Sequence, residues 1–150
     1  MKNSNSSVQN ILNNYLYDDG FEHSLVGLAK LLDIKILALE SENEYLAVLI
    51  ENKIIVVNSL RVNDRHMQWF MTSYLVADFI RNNNTIPDEY SADDVLNKKN
   101  KIKKITNFRI ENIDMETYEL AQKIYIRCLK YKSDAVLHPK NEDLYKARKI

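Results

Sequence analysis

Three short apolar runs crowd the first half of the chain: residues 34–39 (IKILAL), 45–50 (YLAVLI) and 53–57 (KIIVV). Each is too short for a packed helix and rich in β-branched or apolar residues, so each reads as a strand. Only Glu51 and Asn52 separate the last two runs, the spacing of a tight hairpin. Three neighbouring strands joined in this way predict an antiparallel meander. Polar residues 58–65 follow, with Asn63 or Asp64 placed to cap a helix over residues 66–81. Trp69, Phe70, Tyr74, Val76, Ala77 and Ile80 surround much of that helix, which must therefore be buried on more than one side. A sheet with helices segregated around it is an α+β fold.

The flanking sequence supplies more helix. Val8, Ile11, Leu12, Tyr15 and Leu16 form one helical face, which Asp18-Asp19-Gly20 ends, and residues 1–7 read as a frayed, polar start. Ser24 can cap a second helix carrying Leu25, Leu28, Ala29 and Leu32. Beyond residue 81, Asn82-Asn83-Asn84 and Pro87 stop the central helix. Residues 90–97 suit a short helix, and the basic run 98–104 suits a solvated connection. Residues 105–110 suit a short strand. A long helix over 115–131 carries Leu120, Ala121, Ile124 and Cys128 on one face. Residues 132–150 read as a C-terminal extension with a short helix at 142–149. With two glycines and two prolines in 150 residues, the expectation is one domain of long regular elements, 1–150.

Composition narrows the functional classes. A hydrophobic fraction of 45% can fill one core. The single cysteine excludes a disulfide within the chain and a cysteine-based zinc knuckle. No basic-then-apolar leader opens the sequence and no segment is long and apolar enough to cross a membrane, so the expected localisation is cytoplasmic. The formal net charge of zero hides a split. Residues 1–97 hold 7 of the 21 Lys+Arg and 14 of the 21 Asp+Glu; residues 98–150 hold the remainder. Such halves can pair internally or present a basic face to an acidic partner.

Catalytic chemistry finds little to stand on. Hydrolytic zinc centres take three protein ligands, commonly two histidines one helical turn apart. The histidines here are His23, His66 and His138, and none lies within a turn of another. Cys128 falls mid-helix among apolar neighbours, where a thiol behaves as a small hydrophobe. Ser73 has no histidine within a turn, and Gly20 and Gly27 make no phosphate-binding loop. The carboxylate pairs Asp18-Asp19, Asp88-Glu89 and Asp93-Asp94 are adjacent in sequence and do not face each other across a substrate. The residues themselves predict no enzyme, no metal and no cofactor.

The order of elements nevertheless resembles the ImmA/IrrE-type zinc metallopeptidases: two short helices, strands ending in IIVVN, then a buried aromatic helix. In that family the helix reads roughly R-F-T-L-A-H-E-L-G-H. Gln68 to Ala77 takes its place here, with Leu75 matching the motif leucine and Trp69 the aromatic. Ser73, Tyr74 and Ala77 stand where the first histidine, the catalytic glutamate and the second histidine belong. A second signature, E-x-x-A-N-x-F-A-A-x-L-L, is similar to Tyr118 to Leu129 at Ala121, Gln122, Ile124 and Cys128-Leu129. Tyr118 stands at the ligand position, and Glu119, one residue later, is rotated about 100° around the helix.

What the resemblance implies is a zincin-like framework that has lost its four chemical positions, Ser73, Tyr74, Ala77 and Tyr118. The expected function is then that of a pseudoenzyme: a non-catalytic protein-binding regulator from a phage or mobile element. Its groove would capture a helix-turn-helix regulator or a host-defence protein, as antirepressors and defence inhibitors do. Candidate partner-binding residues are Tyr74, Asp78, Tyr118 and Glu119, with Lys98, Lys99, Lys101, Lys103 and Lys104. Two other readings compete. One is a metallopeptidase with a rearranged site drawn from His23, His66, Asp78 and Glu119, Asp78 falling one turn after Tyr74. The other is nucleic-acid binding by residues 98–104 with Lys146, Arg148 and Lys149, although no stacking aromatics interleave that run.

Overall fold

The computed structural model describes residues 3–18, 24–84, 102–107 and 113–130, with side chains described from residue 8 and none for 83, 84 and 130. Within them the chain is α+β, with four helices and one four-stranded mixed sheet. The elements are α1 (Asn3–Tyr17), α2 (Leu25–Leu31), β1 (Lys35–Leu39), β2 (Ala47–Ile50), β3 (Ile54–Asn58), α3 (Arg65–Asn84), β4 (Ile102–Ile105) and α4 (Met115–Lys130). The expected helices at 90–97 and 142–149 lie outside the described residues. Helix α1 already runs from Asn3, so much of the start expected to fray is helical.

The caps are where the side chains predict them. Ser24 Oγ accepts the Gly27 N–H at 3.0 Å, and Asp64 Oδ2 accepts the Met67 N–H at 3.1 Å. The hairpin between β2 and β3 turns on Glu51 (φ 54°) and Asn52 (φ 58°), and the Lys53 N–H returns to the Ile50 carbonyl at 2.9 Å. Two successive left-handed residues match the right-handed twist of the flanking strands. Asparagine enters that region readily; Glu51 is held there at a cost of about 1 kcal/mol.

The sheet is not an antiparallel meander. Its order is β1-β3-β2-β4, with β1 parallel to β3 (Ile36 opposite Ile55) and β2 antiparallel to β3 (Leu49 opposite Ile55). Residues 40–46 carry the chain past the position next to β1, so the hairpin brings back β3, not β2, to fill it. Asn58 fixes that crossing. It is fully buried at the end of β3, where its Oδ1 accepts the N–H groups of Ser41 (3.0 Å) and Leu60 (3.2 Å). Its Nδ2 donates to the carbonyls of Ser41 (2.9 Å), Asn43 (3.3 Å) and Tyr45 (2.9 Å).

The basic run 98–104 is a second correction. From Ile102 it is no connection but the edge strand β4, antiparallel to β2, with Leu49 opposite Lys103 and Ala47 opposite Ile105. The strand expected over 105–110 therefore ends at Ile105, and residues 108–110 lie outside the described residues. The ladder, not composition, decides which lysine turns inward: Lys103 shares a face with Leu49 and Ile105, and Lys104 has the opposite one.

Both faces of the sheet are buried, which is why β2 and β3 read as unbroken apolar runs. Ile36, Ala47, Leu49, Ile55, Val57 and Ile105 join the main core with the helices. Leu37, Val48, Ile50, Ile54 and Val56 form a second cluster with Tyr45 on the other face. Helix α3 is the centre of the main core, and every residue from Met71 to Ile80 is buried. It packs on α4, α1 and the sheet, as its apolar circumference requires. Helix α4 runs antiparallel to it. Arg81 at the end of α3 pairs with Asp114 and Glu116 at the start of α4 and donates to Thr117 Oγ1 at 2.9 Å.

Candidate functional site

The three α3 positions that the resemblance sets against the peptidase motif are all buried. Ser73 and Ala77 are wholly buried in α3, and the Ser73 hydroxyl donates to the Trp69 carbonyl one turn back at 2.9 Å. Tyr74 is buried too, and its hydroxyl accepts the Asp114 N–H at 3.2 Å, at the first turn of α4. Tyrosine suits this position because its ring fills space between helices while its hydroxyl meets a backbone N–H. Asp114 is itself the α4 cap: its Oδ2 accepts the Thr117 N–H (3.2 Å) and hydroxyl (2.5 Å). The Thr117 hydroxyl, ahead of the Arg81 charge, holds the Asp114 carboxyl below the usual carboxylate range.

The cavity lies toward the other end of α3. Between the first turns of α3 and the outer side of α4 is a cleft of about 550 Å³, lined by Asp64, His66, Met67, Phe70, Ile113, Met115, Tyr118 and Tyr125. Asp64, His66, Met67 and Met115 are exposed, so the cleft opens at the surface. Its floor is aromatic. Phe70 packs edge-on against Tyr118 (centroids 5.4 Å, 64°) and against Tyr125 (5.6 Å, 86°). His66 Nδ1 lies 2.8 Å from the Tyr125 hydroxyl, a hydrogen bond closing one end. Burial, followed by the negative charges of the Cys128 thiolate and Asp64, pushes the Tyr125 hydroxyl above its ordinary value.

Of the residues expected at a partner site, Tyr118 lines this cleft and Tyr74 lies deeper in the same helix seam. Asp78 is elsewhere. Although it follows Tyr74 by one turn, its carboxylate is buried against Lys103 of β4 and accepts from Asn82 Nδ2 at 3.1 Å. A helix buried all round has no single face, and Asp78 serves the side turned toward the sheet edge. The pairing also withdraws Lys103 from the basic run. Glu119 and Lys104 are exposed, and neither lines the cleft. Lys98, Lys99, Lys101, His23 and His138 lie outside the described residues. Among the described residues no three His, Cys, Asp or Glu side chains are grouped to hold a metal ion, and no helix is long and apolar enough to cross a membrane.

Sequence reasoning missed His66, Met67, Phe70, Met115 and Tyr125 as a group. The signal was there in their spacing: His66 and Phe70 one turn apart, Tyr118 and Tyr125 two turns apart. What was lacking was the antiparallel alignment that sets one pair against the other. Cys128, three residues after Tyr125, also lies near Tyr15, whose hydroxyl donates to the Ile124 carbonyl at 3.3 Å and is raised by burial. Burial likewise pushes the Cys128 thiol up to about 11. Its alkylation at pH 8 is expected to be on the order of 100-fold slower than in the urea-unfolded chain, because reaction follows the thiolate fraction. With one cysteine in the chain, a thiol-release time course reads this position alone.

Compared with family models, curated proteins and solved structures, the chain finds no match.

Proposed function

We propose that this protein is a non-catalytic binding module that captures a protein partner in the aromatic cleft between α3 and α4. The observation that carries the reading is the cleft itself, a surface-open cavity of about 550 Å³ floored by Phe70, Tyr118 and Tyr125. Apolar cavities with a few polar groups at the edge are the usual form of a binding site, and aromatic residues are enriched where partners anchor. The burial of Ser73, Tyr74 and Ala77 supports a non-catalytic role, since Ser73 and Ala77 have no solvent exposure and Tyr74 little, so a substrate does not reach them from the surface. In this reading α3 and α4 stand for the two signature helices of the ImmA/IrrE-type peptidases. The partner is a helix-turn-helix regulator or a host-defence protein, in a phage or mobile-element setting.

The test uses exposed lining residues, which can change without disturbing the core. Met67 is 40% exposed and Met115 55%. Wild-type protein and the Met67→Glu and Met115→Glu variants are immobilised and offered the same lysate of the native host. The expected result is a specific protein retained by wild type and reduced at least about tenfold in both variants, as for loss of one central apolar contact. Ile126→Glu, on a different surface, should retain it. Equal retention by all four proteins overturns the reading. So does one tightly held zinc per chain with zinc-dependent cleavage of the partner.

A further inference from the structure

The two edges of the sheet are guarded differently. An open strand edge invites pairing with another chain, and folded proteins blunt it with charged side chains, inward-pointing ones included. Strand β4 does so: Lys103 turns inward to Asp78, and Lys104 is exposed on the opposite face. Among the described residues β1 is the other edge, and from Ile36 to Leu39 it carries no charge and no proline. Its hydrogen bonds show which way its backbone faces. The Lys35 N–H donates to the Lys53 carbonyl at 2.8 Å, and the Leu39 carbonyl accepts the Ser59 N–H at 3.0 Å. Those bonds, at the two ends of the strand, set Lys35, Leu37 and Leu39 toward β3. Alternate residues serve the neighbour in a parallel pair, so the N–H and C=O groups of Ile36 and Ala38 face outward. Ala38 is exposed in mid-strand although Ile36 and Leu37 before it are buried, so the surface is open at that point.

We propose that β1 pairs antiparallel with β1 of a second copy of this chain, across a two-fold axis at Ala38, so that two sheets join into one. The occupant follows from the strand's own pattern. Outward-facing residues must meet outward-facing residues for an antiparallel ladder to form. Ala38 opposite Ala38, with Ile36 opposite Glu40 of the second copy, satisfies that condition with one sequence used twice. On the face of the second apolar cluster Leu37 then comes opposite Leu39 of the second copy. Leu39 is half-buried at the margin of that cluster, and the pairing extends the cluster across the joint. Sliding the copy by two residues sets Lys35 against Leu39 instead, a charge against an apolar side chain, which fixes the register. A two-fold pairing of this kind is closed, because each copy spends the one edge it offers. This surface is separate from the cleft between α3 and α4, and the inference does not depend on what the cleft binds.

Sedimentation velocity on the full chain tests the pairing, over concentrations up to about 1 mM. One strand edge lies at the small end of specific interfaces, so a dimer with Kd on the order of 100 μM is expected. Ala38→Lys and Ala38→Glu each set like charges opposite one another on the two-fold, and each is expected to weaken the dimer at least about fivefold. Mixed in equal amounts, the two variants are expected to recover association, because lysine then faces glutamate. Ala38→Pro removes an N–H that faces away from β3, so the ladder within the chain stays intact while the dimer is lost. Far-UV circular dichroism confirms that the three variants fold, which an exposed position permits. Met67→Glu and Met115→Glu are expected to leave the dimer unchanged, which keeps this result apart from the partner-capture test of the cleft. A wild type that stays monomeric throughout overturns the proposal, and so does a dimer indifferent to all three Ala38 variants. Weakening by both charged variants without recovery on mixing overturns the two-fold at Ala38. A monomeric wild type that loses a lysate partner on Ala38→Pro also overturns it, by showing that a foreign strand takes the edge.

Discussion

Replacing Ala77 by histidine is expected to destabilise the protein by about 4 kcal/mol, and zinc is expected not to restore it. Ala77 is fully buried in the middle of α3, flanked in sequence by Val76 and Asp78 and packed in the main core. Forcing a larger side chain into a filled core costs about 1–3 kcal/mol. Burying an imidazole with no partner for its ring nitrogens adds about 1–3 kcal/mol. The sum is a large share of the 5–15 kcal/mol that holds a typical domain together. Urea denaturation followed by far-UV circular dichroism measures the loss. The informative companion is the double variant Ser73→His and Ala77→His, which places a histidine pair one turn apart. If the seam between α3 and α4 is filled as the Tyr74 and Ser73 contacts indicate, the two imidazoles cannot converge on a metal. A zinc-dependent rise in the double variant's midpoint would mean that a cavity persists there, against the packing described.

The contrast between local and long-range features explains what was readable in advance. Ser24 and Asp64 cap their helices because a side-chain oxygen and an N–H two or three residues on are enough to settle the matter. The Glu51-Asn52 turn is equally local. The all-round burial of α3 was legible because Trp69 to Ile80 leaves no polar stripe. Strand order was not legible, since IKILAL, YLAVLI and KIIVV pair equally well with one another by composition. The choice fell to residues 40–46 and to the buried amide of Asn58, which as a sequence letter is only one polar residue among several. Lys103 was misread for the same reason. A lysine-rich run resembles a solvated loop until register places one ammonium opposite Leu49, within reach of Asp78. The cleft was half legible: Tyr118 was singled out, but as a lost ligand position. The cavity it lines lies beside the first turns of α3, not over Ser73 and Ala77.

Asn58→Ala is expected to cost about 3 kcal/mol, more than the removal of a small polar side chain suggests. The amide holds five backbone groups at once, two N–H donors and three carbonyls, contributed by residues 41–45 and by Leu60. Alanine leaves them without that partner. A buried group deprived of its hydrogen bond costs about 1–3 kcal/mol, whereas groups that water can reach lose far less. The Tyr45 carbonyl is in the buried class; the Ser41, Asn43 and Leu60 bonds are partly buried, which keeps the total well below five full penalties. Arg61 bonds the carbonyls of Asn43 (2.5 Å) and Glu42 (2.6 Å) from outside, so the segment stays tethered and the fold survives. The effect should be concentrated where the amide acts. Hydrogen exchange at Ser41 and Leu60 is expected to accelerate beyond the global change, while amides of β3 such as Val56 follow the global change alone. Asn58→Asp separates charge from geometry. It keeps the acceptor for Ser41 and Leu60 but turns the second oxygen of a charged carboxylate, in place of the amide N–H donors, toward the Ser41, Asn43 and Tyr45 carbonyls, and is expected to destabilise at least as much as alanine. If Asn58→Asp were neutral, the three carbonyl bonds would not be what holds the crossing that places β3 beside β1.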